Sequence, residues 1–134
     1  MATAVGGFEL TSWNETPYGD DDGNSDGTRL TRAEVRQRFE GDVEGEGDAV
    51  WLMSYRPDGT ARFVGLQRVT GTIGGKRGSA VLETIGDFDG QVAEWRATVV
   101  RGTGTGQLEG LRGDGSFDAP HGSRASFTLE YDFA

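Results

Sequence analysis

Residues 60–88 read TARFVGLQRVTGTIGGKRGSAVLETIGDF, two alternating segments separated by Gly74-Gly75. Successive side chains of a strand point to opposite faces, and the first segment sorts cleanly into two such sets. One set is Phe63, Gly65, Gln67 and Val69, and the other is Arg62, Val64, Leu66 and Arg68. A Gly-Gly pair supplies the positive φ angles that a tight hairpin turn requires. The stretch therefore predicts two antiparallel strands joined by a hairpin.

The same pattern extends in both directions. Glycine accounts for 23 of 134 residues, and turn pairs recur at Asp58-Gly59, Asp89-Gly90 and Asp114-Gly115. Alternating segments of roughly ten residues separate such turns, as in a meander of strands. Strands are expected over residues 7–15, 44–56, 60–73, 76–88, 91–101, 105–113 and 124–134. In the first of them, alternation places Phe8, Leu10, Ser12 and Asn14 on one face.

Residues 28–41 fit two structures equally well. Thr31-Arg32-Ala33-Glu34 matches the capping box that begins a helix. Ala33, Val35 and Phe39 alternate with charged residues, as in a strand with one buried face. The residues alone leave both alternatives open.

About eight strands with one apolar face each predict an all-β fold, with one domain spanning residues 1–134. We expect a single closed antiparallel barrel, because closure removes the unpaired edges that long strands would expose. A flat open sheet would leave one face of aromatic side chains in water. Residues 16–27 contain four Asp and three Gly, so we expect a mobile polar loop there.

Composition excludes several classes of function. Thirteen basic against 22 acidic residues give a net charge of -9, whereas nucleic acids and anionic membranes require a basic surface. The chain has no cysteine, which excludes disulfides and a thiolate nucleophile. No apolar run is long enough to span a membrane, and residues 1–10 do not resemble a signal peptide. The expected location is the cytoplasm.

Three motifs resemble ligand sites but are incomplete. Residues 22–27 match the first half of a calcium loop, yet the chelating twelfth position falls on Ala33. Residues 102–106 alternate Gly and Thr but lack the further glycine or lysine of a phosphate-binding loop. His121 is the sole histidine, which leaves a catalytic triad or a two-histidine metal site without support. We expect no metal and no cofactor.

The remaining site candidates are side chains predicted to point into the barrel. They are Tyr55, Gln67, Thr84, Trp95 and Arg112. Trp95 is placed inward because its neighbours Glu94 and Arg96 must face water. Arg112 is placed inward because it alternates in step with Leu108, although a bulge after the Gly-Thr repeat would turn it outward. Polar groups inside an apolar barrel need partners. We therefore expect either that they bond each other in a filled interior or that a ligand lies between them.

Five segments, in order, resemble an uncharacterised bacterial domain-of-unknown-function family of small barrels, structurally similar to allene oxide cyclase and calycin-like. They are Phe39-x-Gly41-Asp42-x-Glu44-Gly45-Glu46, then WLMSY at 51–55, FVGL at 63–66, GTIGG at 71–75 and GTGTGxLxGLRG at 102–113. The resemblance runs from Gly7 onward and implies that residues 28–41 form a strand. This chain departs from the family at Ala80, Thr84 and Thr103, where members often carry an aromatic residue, histidine and serine. The resemblance implies a fold and no activity.

Three functional hypotheses follow. The first is a barrel that holds a small, mostly apolar molecule in its mouth. The second is a cofactor-independent isomerase or cyclase acting on an apolar substrate inside the barrel, which would need a hydrogen-bond donor and a proton acceptor. The third is a structural or regulatory protein that binds another protein, and a second copy of this chain is one such partner. No inward acid or histidine is expected, which favours binding; a buried Glu83 with a raised pKa would favour catalysis.

Overall fold

The computed structural model describes residues 1–18, 27–120 and 124–134. Within these ranges eight antiparallel strands form a closed barrel in chain order, with β1 pairing to β8. The strands are β1 Ala2–Pro17, β2 Arg29–Gly41, β3 Val43–Tyr55, β4 Ala61–Ile73, β5 Lys76–Phe88, β6 Val92–Val99, β7 Leu111–Pro120 and β8 Ala125–Phe133. The predicted closed antiparallel barrel is confirmed. Three predictions fall largely outside the described residues: most of the mobile loop, the calcium-like motif except Gly27, and His121. The first residues of that predicted loop, Thr16 and Pro17, belong to β1.

The segment that fitted both helix and strand is a strand, β2. Alternate residues from Thr31 to Phe39 are buried, and those between them are exposed. A helix would scatter these apolar positions around its circumference, whereas a strand buries all of them on one face. The capping-box residues Thr31 and Glu34 instead pair with Met53 and Val50 of β3.

Three of the four turns predicted from Asp-Gly and Gly-Gly pairs are present, at Asp58-Gly59, Gly74-Gly75 and Asp89-Gly90. Gly59, Gly74, Gly75 and Gly90 all have positive φ. The Asp89 carboxylate accepts hydrogen bonds from the backbone N–H groups of Gln91, in the turn, and Val92, the first residue of β6, at 2.9 and 2.8 Å. An aspartate side chain that accepts hydrogen bonds from backbone N–H groups two or three residues further on stabilises the turn.

The predicted strand at 105–113 is wrong in its placement. Gly106–Leu108 forms a single 3-10 turn, and β7 starts only at Leu111 and continues through Asp114-Gly115, which was expected to be a turn. Gly106, which begins the turn, and Gly110, which precedes β7, have positive φ, a conformation that interrupts a regular strand. Leu108 is fully buried and covers one end of the barrel.

Aromatic side chains fill the interior. Trp95 stacks on Phe117 with ring centroids 5.2 Å apart, and Trp51 meets Trp95 edge-on at 4.9 Å. Gly65 makes room for this cluster, because a Cβ there would lie 2.8 Å from Cδ1 of Trp51. Towards the covered end, the remaining cavity measures about 20 Å³, which is too small for any ligand.

Candidate functional site

The two ends of the barrel differ. One end is covered by Leu108, whereas at the other β1 extends past its neighbour. β1 pairs with β8 only from Ala2 to Phe8, and then continues to Pro17 paired with β2 alone. Within the described part of the chain, no strand pairs with the other edge of β1 beyond Phe8. The barrel wall is therefore split at this end.

A cavity of about 790 Å³ occupies the split, and we call it the side cleft. Its apolar wall includes Phe8, Leu10, Trp13, Phe88, Ala93 and Ala119. Leu10 and Trp13 remain 42% and 45% exposed, although the other tryptophans are buried. The side cleft thus offers an apolar surface that the described residues leave partly exposed.

Charged side chains at the rim of the side cleft occur as ion pairs. Arg38 Nη2 lies 2.6 Å from Glu9 Oε1, and Arg124 pairs with Glu40. Gln91, from the turn before β6, lines the cleft as well. Because each of these four charges has an opposite charge beside it, the rim carries no net charge.

A bulge in β1 decides which side chains reach the open end. The register between β1 and β2 shifts between Leu10 and Ser12, which leaves Thr11 as an extra residue. Before the bulge Phe8 faces inward; after it Trp13 lies opposite the buried Val35. The predicted alternation is therefore wrong from Ser12 onward, because an extra residue reverses the faces.

The bulge brings Glu15 to the inner side, where three donors bond its carboxylate. Oε2 accepts from the hydroxyls of Thr31 at 2.5 Å and Tyr55 at 2.7 Å. Oε1 accepts from the indole Nε1 of Trp13 at 3.0 Å. The Arg29 guanidinium lies 4.5 Å from the centre of the Tyr55 ring. These side chains form one connected polar cluster at the open end.

The electrostatics of this cluster favour an ionised acid and a protonated phenol. Burial raises the pKa of the Glu15 carboxyl, but hydrogen bonds from Thr31, Tyr55 and Trp13 outweigh it and hold the pKa below its ordinary value. Burial, together with the hydrogen bond and negative charge of Glu15, raises the pKa of Tyr55 to about 12. A carboxylate with three donors is a weak base, so this arrangement suits holding strands together better than moving protons.

Three of the predicted site residues lie together in the packed interior. Gln67, Thr84 and Trp95 are buried. Trp95 Nε1 donates to Gln67 Oε1 at 3.3 Å, and Gln67 Nε2 donates to Gln37 Oε1 at 2.9 Å. Thr84 accepts from Trp51 Nε1 at 3.0 Å. These groups bond each other, which is the filled-interior alternative.

The other two predicted site residues lie elsewhere. Tyr55 belongs to the open-end cluster. Arg112 does not face the interior: it lies on the outer surface, with Nε 2.5 Å from Oδ1 of Asp132. Its parity with Leu108 is lost because Leu108 lies in the 3-10 turn and Gly110, with positive φ, precedes the start of β7. The five residues therefore do not form one site.

Gln37 and Glu15 were not among the predicted site residues. Gln37 follows the alternation of Val35 and Phe39, so the strand reading of β2 contained the signal for it. Its Nε2 is buried with no hydrogen-bond partner among the described residues. Glu15 carried no such signal, because its inward orientation depends on a bulge at Thr11 that neither glycine nor proline marks.

The part of the chain that the structure describes contains neither a metal-binding cluster nor a membrane-spanning helix. The residues there contain no cluster of three or more acids, histidines or cysteines arranged to hold a metal ion. They also contain no helix with the length and hydropathy needed to cross a membrane.

Comparisons with known proteins identify a family and a similar fold, and both matches are described as of unknown function. Residues 4–131 match the model of a family described as "Protein of unknown function (DUF3224)". A crystal structure of a DUF3224 protein of unknown function from Shewanella oneidensis MR-1 is similar, with a TM-score of 0.79 and 24% sequence identity. The similarity covers 100% of this chain and 98% of the other. No curated protein sequence matches the chain.

Proposed function

This chain belongs to the DUF3224 family of proteins of unknown function, and we propose that it binds a small, uncharged, mostly apolar molecule in the side cleft. The observation that carries the proposal is the exposed inner surface of β1 around Leu10 and Trp13, which borders an open volume of about 790 Å³. Ligand pockets in proteins commonly measure roughly 300–1,000 Å³ and are lined mainly by apolar and aromatic side chains.

The paired charges at the rim support an uncharged ligand. A charged ligand loses hydration on entering a cleft, and it recovers that free energy only from an unpaired opposite charge. Here Arg38 already pairs with Glu9, and Arg124 already pairs with Glu40. A neutral ligand group can still hydrogen bond to Gln91 at the rim.

The packed interior is a poorer candidate than the side cleft. Gln67 and Thr84 already have partners there, and the residual cavity of about 20 Å³ admits no organic molecule. A ligand at that position would have to displace the stacked Trp95 and Phe117. The proposed ligand site is therefore the split end of the barrel rather than its centre.

Binding is tested with N-phenyl-1-naphthylamine, an uncharged apolar dye whose fluorescence rises on burial. The wild-type protein should bind it saturably. Ala119→Phe fills the side cleft and should weaken binding at least about tenfold, which corresponds to about 1.4 kcal/mol. Val5→Phe is the matched control, because it adds similar bulk to the outer surface of β1 and should leave binding unchanged. Saturable binding that Ala119→Phe leaves intact would place the dye elsewhere and refute the proposal.

Native mass spectrometry of the freshly purified protein tests for a natural ligand. A retained small molecule that is absent from the Ala119→Phe variant supports the proposal and identifies the ligand by mass. A retained molecule that is equally abundant in the variant argues against the side cleft.

One observation favours a second function, a cofactor-independent isomerase or cyclase. Glu15 is an inward acid beside Tyr55, and resemblance to the allene oxide cyclase barrel would suit such chemistry. The three hydrogen bonds to Glu15 weaken it as a base, so we rank this function second. An isomerase that moves a proton should incorporate deuterium into the co-purified molecule in D₂O, and Glu15→Gln should abolish that incorporation. Binding without any deuterium uptake argues for the first function.

A further inference from the structure

Five aliphatic side chains are exposed together on the outer face of three adjacent strands. This outer patch consists of Val50, Leu52, Val64, Leu66 and Ile85, between 39% and 54% exposed. Strand register joins them directly: Val50 lies opposite Leu66, and Val64 lies between Leu52 and Ile85. Single exposed aliphatic residues are ordinary, whereas a contiguous set indicates an interaction surface.

The outer patch consists of two rows that cross the strands, and the rows differ in charge. The first row is Arg32, Leu52, Val64, Ile85 and Arg96. The second is Glu34, Val50, Leu66, Glu83 and Thr98. One row therefore ends in two positive charges, and its neighbour contains two negative charges.

We propose that a second copy of this chain covers the outer patch, related by a two-fold axis that lies between the two rows and runs parallel to them. This axis places the first row of each copy on the second row of the other. Arg32, which lies 3.2 Å from Glu34 of its own chain, then faces Glu34 of the second copy, so that four charges of alternating sign meet. Val64 faces Leu66 of the second copy, and Ile85 faces its Glu83. An axis along the strands would instead bring Arg32 against Arg96, which is repulsive.

The surroundings of the outer patch favour a second copy over a partner of one charge. Four basic and four acidic side chains flank it: Arg32, Arg62, Arg68 and Arg96, with Glu34, Asp48, Glu83 and Asp87. The whole chain carries -9, so two copies repel in general and meet most favourably where charge is balanced. In the proposed packing Arg62 approaches Arg68 of the second copy. Asp87 lies 2.6 Å from Arg62, and Asp48 lies opposite Arg68 in the register, which offsets that repulsion.

This interface is independent of the proposed ligand site. None of the five outer-patch residues lines the side cleft. Failure of either proposal therefore leaves the other standing.

Sedimentation equilibrium at neutral pH, up to ~1 mM chain, tests the interface. Wild type should reach the mass of a dimer. Leu66→Asp should weaken association at least about tenfold. Val5→Asp is the control, because it places the same charge at an exposed aliphatic position outside the patch. Circular dichroism confirms that each variant retains its strands.

Charge exchange tests the direction of the axis. Arg32→Glu alone and Glu34→Arg alone should each weaken the dimer, because like charges then meet across the interface as well as within each chain. Combining both exchanges should restore association to near the wild-type level. A wild-type protein that stays monomeric throughout, or one that remains monomeric while binding uncharged vesicles through Leu66, overturns the proposal. A dimer that the double exchange does not restore overturns the axis.

Discussion

The phenol of Tyr55 donates a 2.7 Å hydrogen bond to Oε2 of Glu15 and so joins the end of β3 to the end of β1 across β2. Thr31 of the intervening strand donates to the same oxygen. β1 has a strand partner on only one side beyond Phe8, so these bonds reinforce its least supported part. The Glu15 carboxylate therefore anchors the far end of β1 to β2 and β3.

Glu15→Gln should make the protein less sensitive to acid. The pKa of Glu15 is lower in the folded chain than its ordinary value of 4.5, so the stability that it contributes is present above that value and is lost as pH falls through the folded pKa. At neutral pH the variant should lose about 1 kcal/mol of unfolding free energy, after discounting hydrogen bonds to a partly exposed carboxylate. Urea unfolding at several pH values measures the difference, which should shrink as pH falls below 4.5 and through the lowered folded pKa.

Tyr55→Phe serves as the companion variant, because it removes one of the three donors and should retain part of the pH dependence. A Glu15→Gln loss that is equal at neutral and acidic pH would contradict the assignment of the carboxylate as the stabilising group.

Gln67→Leu should be strongly destabilising. It leaves Gln37 Oε1 and Trp95 Nε1 buried without partners, at a cost of about 2–4 kcal/mol. Gln37→Leu combined with Gln67→Leu removes one of those orphaned groups, together with the unpartnered Nε2 of Gln37. The double variant should thus be no less stable than Gln67→Leu alone. Chemical denaturation of the two single variants and the double variant measures this, with exposed Gln91→Leu as the control. A double-variant loss equal to the sum of the two single losses would contradict the hydrogen bond between Gln37 and Gln67.

Gly65→Ala and Gly59→Ala should differ because glycine is needed at each for a different reason. A Cβ on Gly65 would lie 1.9 Å from the carbonyl oxygen of Val50, so the strands must separate. Gly59 has open space around it, but its φ is +88°, which costs an alanine about 1 kcal/mol. Thermal unfolding should show a severe loss for Gly65→Ala and a mild one for Gly59→Ala. Equal losses would mean that steric contact at Gly65 is relieved by local movement.

Arg112→Ala should leave dye binding in the side cleft unchanged. The side chain pairs with Asp132 on the outer surface, and exposed ion pairs contribute little to stability. A modest effect on the urea midpoint that disappears at high salt is expected. Loss of dye binding in this variant would show that the surface position is coupled to the cleft.

Strand positions were predictable wherever alternation ran unbroken. Glu94 and Arg96 placed Trp95 inward correctly, and the Gly74-Gly75 turn joined β4 to β5 as expected. Alternation carries this information because burial of one face is the main constraint on an amphipathic strand. Residues 28–41 were decided by the family resemblance, because their local propensities supported helix and strand alike.

The prediction of which side chains face inward failed where the regular alternation along a strand was interrupted. The extra Thr11 reversed the faces of β1, which removed Ser12 from the inward set and brought in Glu15. The 3-10 turn did the same for Arg112, and there Gly106 and Gly110 were visible in the sequence as breaks. The side cleft was beyond prediction, because it depends on how far β1 extends past the end of β8, a matter of three-dimensional register.

The seam between β1 and β8 has a kinetic consequence. Ala2 lies opposite Tyr131, so these contacts join the most distant strands of the barrel along the chain. Hairpins such as β3–β4 and β4–β5 are local and can form early, whereas the seam must wait for the loss of chain entropy that brings distant segments together. Until β1 pairs with β8, the unfinished sheet exposes two edges with unpaired backbone groups to other molecules. The slower this last closure, the longer those edges stay available for aggregation of the nascent chain.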